Sequence, residues 1–110
     1  MQQRDAVRVT PRSAVTVAIE NQGYPMAYGV VANISERGAC LWTNGKFAIG
    51  ESLVLRLSFP HEPQPLQAAG RVVWEDLHRD EKGAMRLGLM WSHTTGPAHL
   101  YLKELIGSAS

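Results

Sequence analysis

Residues 53–59 read LVLRLSF, with an apolar side chain at every odd-numbered position. Because successive side chains of a β-strand point to opposite faces, this period of two predicts a strand with one buried face. The next segment, PHEPQP at 60–65, contains three prolines, which cannot donate to a β-ladder. The pattern therefore predicts a strand that ends at the prolines and buries Leu53, Leu55, Leu57 and Phe59.

The same alternation recurs along most of the chain. Together with the turn-forming stretches between them, the apolar patterns predict six short strands, at residues 15–19, 27–34, 39–42, 53–59, 66–74 and 84–91. We expect the first two strands to form a hairpin and the last two to pair. After the third strand, Asn44 and Gly45 favour the positive φ angles of a tight turn. The buried face of the sixth strand is expected to carry Met85, Leu87, Leu89 and Trp91.

The C-terminal region has the pattern of one helix. Thr94 or Thr95 can cap it, Pro97 suits its first turn and Gly107 ends it. Many short strands with brief turns favour an antiparallel barrel or sandwich, and we expect a mainly β fold, a six-stranded antiparallel β-barrel with a C-terminal α-helix. The expected organisation is a single domain over 1–110, with a flexible N-terminal arm at 1–12, the barrel at 13–92 and the helix at 95–106.

Length, composition and charge limit the class of protein. The 110 residues, 45% of them hydrophobic and 19% charged, suffice for one packed core. A net charge of +1 is too balanced for binding nucleic acid or a membrane surface through bulk electrostatics. No apolar run approaches the roughly 20 residues that span a bilayer, and the N-terminus lacks a secretory signal. With Cys40 as the only cysteine, we expect a cytoplasmic protein without disulfides or membrane insertion.

Two arginines four residues apart precede the first strand. Arg4 and Arg8 each present a planar guanidinium that suits phosphate oxygens or the O6/N7 edge of guanine. The spacing alone also fits a solvated basic arm, since Arg8 and Arg12 repeat it.

A second motif ends the second strand, where residues 33–38 read NISERG. Asn33 offers a carboxamide that donates and accepts hydrogen bonds, Ser35 a hydroxyl, and Gly38 a backbone that a ligand can approach closely. The same residue types are common in an ordinary turn at the end of a strand.

In this order, about 25 residues apart, the two motifs resemble those of the PilZ domain family, Arg-x-x-x-Arg followed by Asp/Asn-x-Ser-x-x-Gly. The segments GRVVW at 70–74 and RLGL at 86–89 resemble that family's fifth and sixth strands. The resemblance implies a six-stranded barrel that binds cyclic di-GMP on its surface beside the N-terminal arm.

By this resemblance Arg4 and Arg8 contact phosphates and guanines, Asn33 and Ser35 hydrogen-bond the ligand, and Gly38 keeps the turn tight. Trp74 is a further candidate for stacking on the ligand, although a tryptophan at the end of a strand more often packs on the barrel. The neighbourhood of Gln3 influences in the family whether one or two ligands bind, and both stoichiometries stay open.

Patterns of catalytic and metal-binding residues are missing from the sequence. His61 and Glu62 are followed by prolines rather than by a zinc-protease helix, the other histidines are scattered, and Lys46 follows no phosphate-binding loop. We therefore expect a protein that is not an enzyme and uses no metal or cofactor.

The leading hypothesis is a cyclic di-GMP receptor that signals to an unidentified protein partner when its arm becomes ordered. The main alternative is a PilZ-like adaptor that works through protein contacts and binds no nucleotide. A barrel that binds single-stranded nucleic acid would need an extended basic groove, whereas the basic residues here are local, so no DNA or RNA partner is expected. We expect a monomer or a weak dimer.

Overall fold

The computed structural model describes residues 10–11, 13–21, 24–60, 62–76, 83–92 and 104. The arginine pair Arg4 and Arg8 lies outside these residues. So does the helix expected over 95–106, apart from Glu104.

Six antiparallel strands form a closed barrel in the order β1-β2-β3-β6-β5-β4. This confirms the expected mainly β, six-stranded antiparallel barrel, including the hairpin of the first two strands and the pairing of the last two. The strands are β1 Thr16–Asn21, β2 Tyr24–Ile34, β3 Gly38–Thr43, β4 Ser52–Ser58, β5 Leu66–Asp76 and β6 Met85–Trp91.

The core fills the inside of the barrel with the alternate residues of every strand. All four apolar positions of the 53–59 segment are buried, with Leu55 and Leu57 fully enclosed. The four positions expected on the inner face of β6 are buried as well. Each enclosed leucine, isoleucine or valine contributes about 1.5–3 kcal/mol relative to its exposed state, which makes this alternation the main force that closes the barrel.

Two β-bulges decide whether Asn33 and Trp74 reach the outer surface. The register shifts in β2 between Val31 and Asn33, and in β5 between Val72 and Trp74. Strict alternation from the buried Val31 and Val72 would turn the residue two positions later into the core. The extra residue in each bulge reverses this, so that Ile34 is buried while Asn33 and Trp74 lie on the outer side.

The chain bends at Asn44 and Gly45 as expected, but the positive φ angle expected at Gly45 is not observed. Among the described glycines, positive φ angles occur at Gly50 and Gly83. The reason is topological, because β3 pairs with β2 and β6, so residues 44–51 connect β3 to a strand that is not its neighbour. Asn44 instead uses its side-chain oxygen to accept a hydrogen bond from the backbone N–H of Tyr28.

Candidate functional site

The turn that joins β2 to β3 is organised by Ser35. Its side chain is buried, and its Oγ accepts hydrogen bonds from the backbone N–H groups of Arg37 at 3.1 Å and Gly38 at 3.3 Å. The backbone N–H of Ser35 also donates to the carbonyl oxygen of Gly38 at 2.8 Å. Ser35 therefore shapes from within the turn that follows β2, directly after Asn33 and Ile34.

Gly38 is required by the packing of two strands. It pairs with Met90 of β6, and a Cβ at this position would overlap the carbonyl oxygen of Leu89. Because Leu89 belongs to the backbone ladder, it cannot move aside as a flexible side chain can. The glycine of the motif thus allows β3 and β6 to approach each other at the residue where the turn ends and β3 begins.

Trp91 fastens the same turn to the end of β6. Its indole N–H donates to the carbonyl oxygen of Ser35 at 3.0 Å in a buried hydrogen bond, and its backbone N–H donates to the carbonyl oxygen of Arg37 at 2.8 Å. The sequence predicted Trp91 only as a core residue, because a pattern of apolar positions does not reveal the partner of an indole N–H. Trp91 holds the turn against the barrel at two points.

Replacing Trp91 with phenylalanine is expected to lower the free energy of unfolding by about 1–3 kcal/mol, since a buried carbonyl loses its donor. The matched control is Trp42→Phe, because the indole N–H of Trp42 has no hydrogen-bond partner in the described part of the chain. Urea unfolding of the two variants measures the difference. Equal stability of both would show that the hydrogen bond to Ser35 contributes nothing.

A row of four cross-strand neighbours runs around the barrel from Asn33 to Trp74, and its two middle members, Cys40 and Gly88, are buried. Asn33 of β2 pairs with Cys40 of β3, Cys40 with Gly88 of β6, and Gly88 with Trp74 of β5. The indole of Trp74 lies directly on Gly88, where a Cβ would overlap its ring, and 40% of the Trp74 surface stays exposed. The row takes three strand steps, from β2 to β5, which is half of the way around the closed six-stranded barrel.

A second row beside it carries charge and another indole. Arg86 of β6 stands opposite Trp42 of β3 and Asp76 of β5. Its guanidinium lies 5.4 Å from the centre of the Trp42 ring and donates to an Asp76 carboxylate oxygen at 2.9 Å. Both contacts orient Arg86 along the outer surface, but the carboxylate balances its charge.

The structure brings together the three residues of the second motif, Asn33, Ser35 and Gly38, in one turn, and places Trp74 on the outer face of β5, three strands from β2 around the barrel. It does not describe Arg4 or Arg8. The sequence did not predict the two hydrogen bonds that Trp91 donates to the turn. Nor did it predict that Arg86 lies over the Trp42 ring.

Within the described ranges, no helix is both long and apolar enough to cross a bilayer. No group of three or more histidine, cysteine, aspartate or glutamate residues that could hold a metal ion occurs in this part of the chain.

Comparison with known proteins identifies the family. Residues 2–108 match the PilZ domain family, and the chain belongs to it. PilZ domains are binding and effector modules. A comparison with curated proteins finds no match.

Solved structures share the fold at low sequence identity. The PilZ domain of YcgR from Escherichia coli with c-di-GMP has a TM-score of 0.75 and 11% identity, over 98% of this chain and 92% of that one. YcgR from Escherichia coli in complex with c-di-GMP has a TM-score of 0.77 and 10% identity, over 97% and 46%. The inhibitor of motility MotI from Bacillus subtilis has a TM-score of 0.73 and 22% identity, over 98% and 51%. The present chain thus spans about half the length of MotI and of the longer YcgR chain.

Proposed function

We propose that this PilZ domain is a receptor for cyclic di-GMP and that it acts by binding rather than by catalysis. The observation that carries the proposal is the Asn33–Gly38 turn, which is held from inside by Ser35 and from β6 by Trp91, and which a row of paired residues on β3 and β6 connects to the exposed Trp74 indole. The structural relatives solved with cyclic di-GMP support the choice of ligand.

The residues suit the chemistry of this ligand. Cyclic di-GMP carries two phosphate charges and two guanines, so it needs cationic donors, directed polar groups and a surface for stacking. Arg4 and Arg8 supply guanidinium groups for phosphates and guanine edges, and Asn33 supplies a carboxamide. Trp74 supplies an indole face on which a base can stack.

The signal arises when the arm takes a fixed position over the bound nucleotide. Fixing the five residues from Arg4 to Arg8 costs about 1–2 kcal/mol per residue of backbone entropy. Hydrogen bonds to charged groups contribute about 1.5–3 kcal/mol each, so roughly two to seven of them are needed to offset that cost. The fixed arm then forms part of a surface that a protein partner recognises.

Isothermal titration of the folded protein with cyclic di-GMP tests the receptor function, with GTP and cyclic GMP as controls. Selective binding at micromolar concentration or tighter supports the proposal, and the titration also gives one or two nucleotides per chain. A folded protein that produces no binding heat and no chemical-shift change with cyclic di-GMP would overturn it.

Replacing Trp74 with alanine is expected to weaken cyclic di-GMP binding about tenfold, since stacking of one base on an aromatic side chain contributes about 1–3 kcal/mol. The matched control is Tyr24→Ala, which removes an aromatic ring that is 73% exposed at the other end of β2 from Asn33. The same titration measures both variants. Unchanged affinity of Trp74→Ala would assign this indole to packing on Gly88 alone.

A nucleotide-independent adaptor is the alternative, and one feature of the surface favours it. Met26, Tyr28 and Val30 follow each other on the outer face of β2, each at least 40% exposed. Exposed apolar side chains in such a continuous series are typical of protein contact surfaces. A protein that captures the same cellular partner with and without cyclic di-GMP would support the adaptor.

A further inference from the structure

Arg71 lies on the outer face of β5, close to the row that ends at Trp74. It pairs with Met90 of β6, and Met90 pairs on its other side with Gly38 of the turn. The row Gly38–Met90–Arg71 therefore runs beside the row Asn33–Cys40–Gly88–Trp74. With strand spacings of about 4.8 Å, the backbone of Arg71 is roughly 10 Å from Gly38 across the barrel surface.

The bulge in β5 places Arg71 and Trp74 on the same side of the sheet. Val72 points into the core and is buried, and the extra residue Val73 shifts the alternation so that Trp74 points outward like Arg71. Met90, which is 53% exposed, fills the surface between Arg71 and the turn. Arg71 and Trp74 thus lie on the same outer face of β5, at the edge of the candidate site.

The charge of Arg71 is not balanced locally, unlike that of two other arginines on the barrel. Arg56 is bonded to Glu20 at 2.6 Å and Arg86 to Asp76 at 2.9 Å. Arg71 has no hydrogen-bond or ion-pair partner in the described part of the chain, and the outer residues on either side of it, Met90 and Ser52, are uncharged. A planar guanidinium without a carboxylate partner is suited to bind a phosphate through two parallel hydrogen bonds, a bidentate contact.

We infer that Arg71 is a further binding residue, which contacts a phosphate of the cyclic dinucleotide while Trp74 stacks on the adjacent base. The inference rests on the proposed function. It assigns to the barrel itself a cation that holds the nucleotide from the side opposite the Asn33–Gly38 turn.

The test compares Arg71→Ala with Arg56→Ala, which removes the same charged group from the outer face of the neighbouring strand β4. We expect Arg71→Ala to weaken cyclic di-GMP binding about tenfold, a typical loss for one charge-assisted contact at a partly solvated site, and Arg56→Ala to leave it unchanged. The affinity of Arg71→Ala should also depend less on salt than that of the wild type, because one ionic contact is gone. Thermal unfolding establishes that both variants are folded.

Wild-type affinity in Arg71→Ala, or an equal loss in Arg56→Ala, would overturn the inference and leave the receptor function standing. A wild-type protein that does not bind cyclic di-GMP would overturn both. The two failures are therefore distinguished by the wild-type titration alone.

Discussion

Arg8→Ala is expected to lower the affinity for cyclic di-GMP by about 2–5 kcal/mol, which corresponds to roughly thirty- to several thousand-fold. The loss is large because the ligand is a dianion that becomes largely desolvated between the arm and the barrel. Removing one guanidinium then leaves phosphate or guanine groups buried without a partner. Isothermal titration of the variant beside the wild type measures the change.

The chain provides a matched control four residues further on. Arg12→Ala removes the same charge at the same spacing from Arg8 and should leave the affinity nearly unchanged. A large loss in Arg12→Ala with none in Arg4→Ala would move the binding pair to Arg8 and Arg12. Wild-type affinity in Arg8→Ala would show that the arm takes no part in binding.

Gly38→Ala is expected to lower the free energy of unfolding by about 3 kcal/mol, at the upper end of the usual cost of overpacking. The added methyl group would overlap the carbonyl oxygen of Leu89, and the β-ladder holds that carbonyl in place. Relief requires β3 to separate from β6 beside the turn that Trp91 fastens. Urea unfolding followed by far-ultraviolet circular dichroism measures the loss.

Gly50→Ala is the control for the backbone conformation of glycine. Gly50 has a φ of 93° but nothing within 4 Å of an added Cβ, so the substitution should cost only about 1–2 kcal/mol. A larger loss at Gly50 than at Gly38 would contradict the packing argument. If Gly38→Ala were as stable as the wild type but bound the nucleotide more weakly, Gly38 would be needed for contact with the ligand rather than for packing of β3 on β6.

The strands were predictable because each must bury one face of the barrel, and the sequence records this as apolar residues at every second position. Each predicted strand overlaps the observed one, and differences at the ends are a few residues, as at β5, which continues to Asp76 rather than ending at Trp74. The residue types of the Asn33–Gly38 turn were also predictable, since a turn must follow the second strand.

The arrangement of the site depends on contacts between residues far apart in the chain. The bulges at Ala32 and Val73 turn Asn33 and Trp74 outward, yet no apolar pattern marks either bulge. The bond from Trp91 to Ser35 joins residues 56 positions apart, so local sequence cannot indicate it. At Asn44 and Gly45 the local sequence prefers the positive φ angles of a hairpin turn. Gly45 does not adopt one, because the segment connects β3 to β4 and these two strands are not neighbours.

Closure of the described barrel restricts how another protein can recognise this domain. A peptide can extend a β-sheet only where a strand has free N–H and C=O groups along one side. Each of the six strands here is paired on both sides, so the barrel has no strand to which a peptide could be added. A partner of the proposed kind would therefore select the domain by side chains, and we expect substitutions on the outer face of β2, at Met26 or Tyr28, to change partner choice while the fold stays the same.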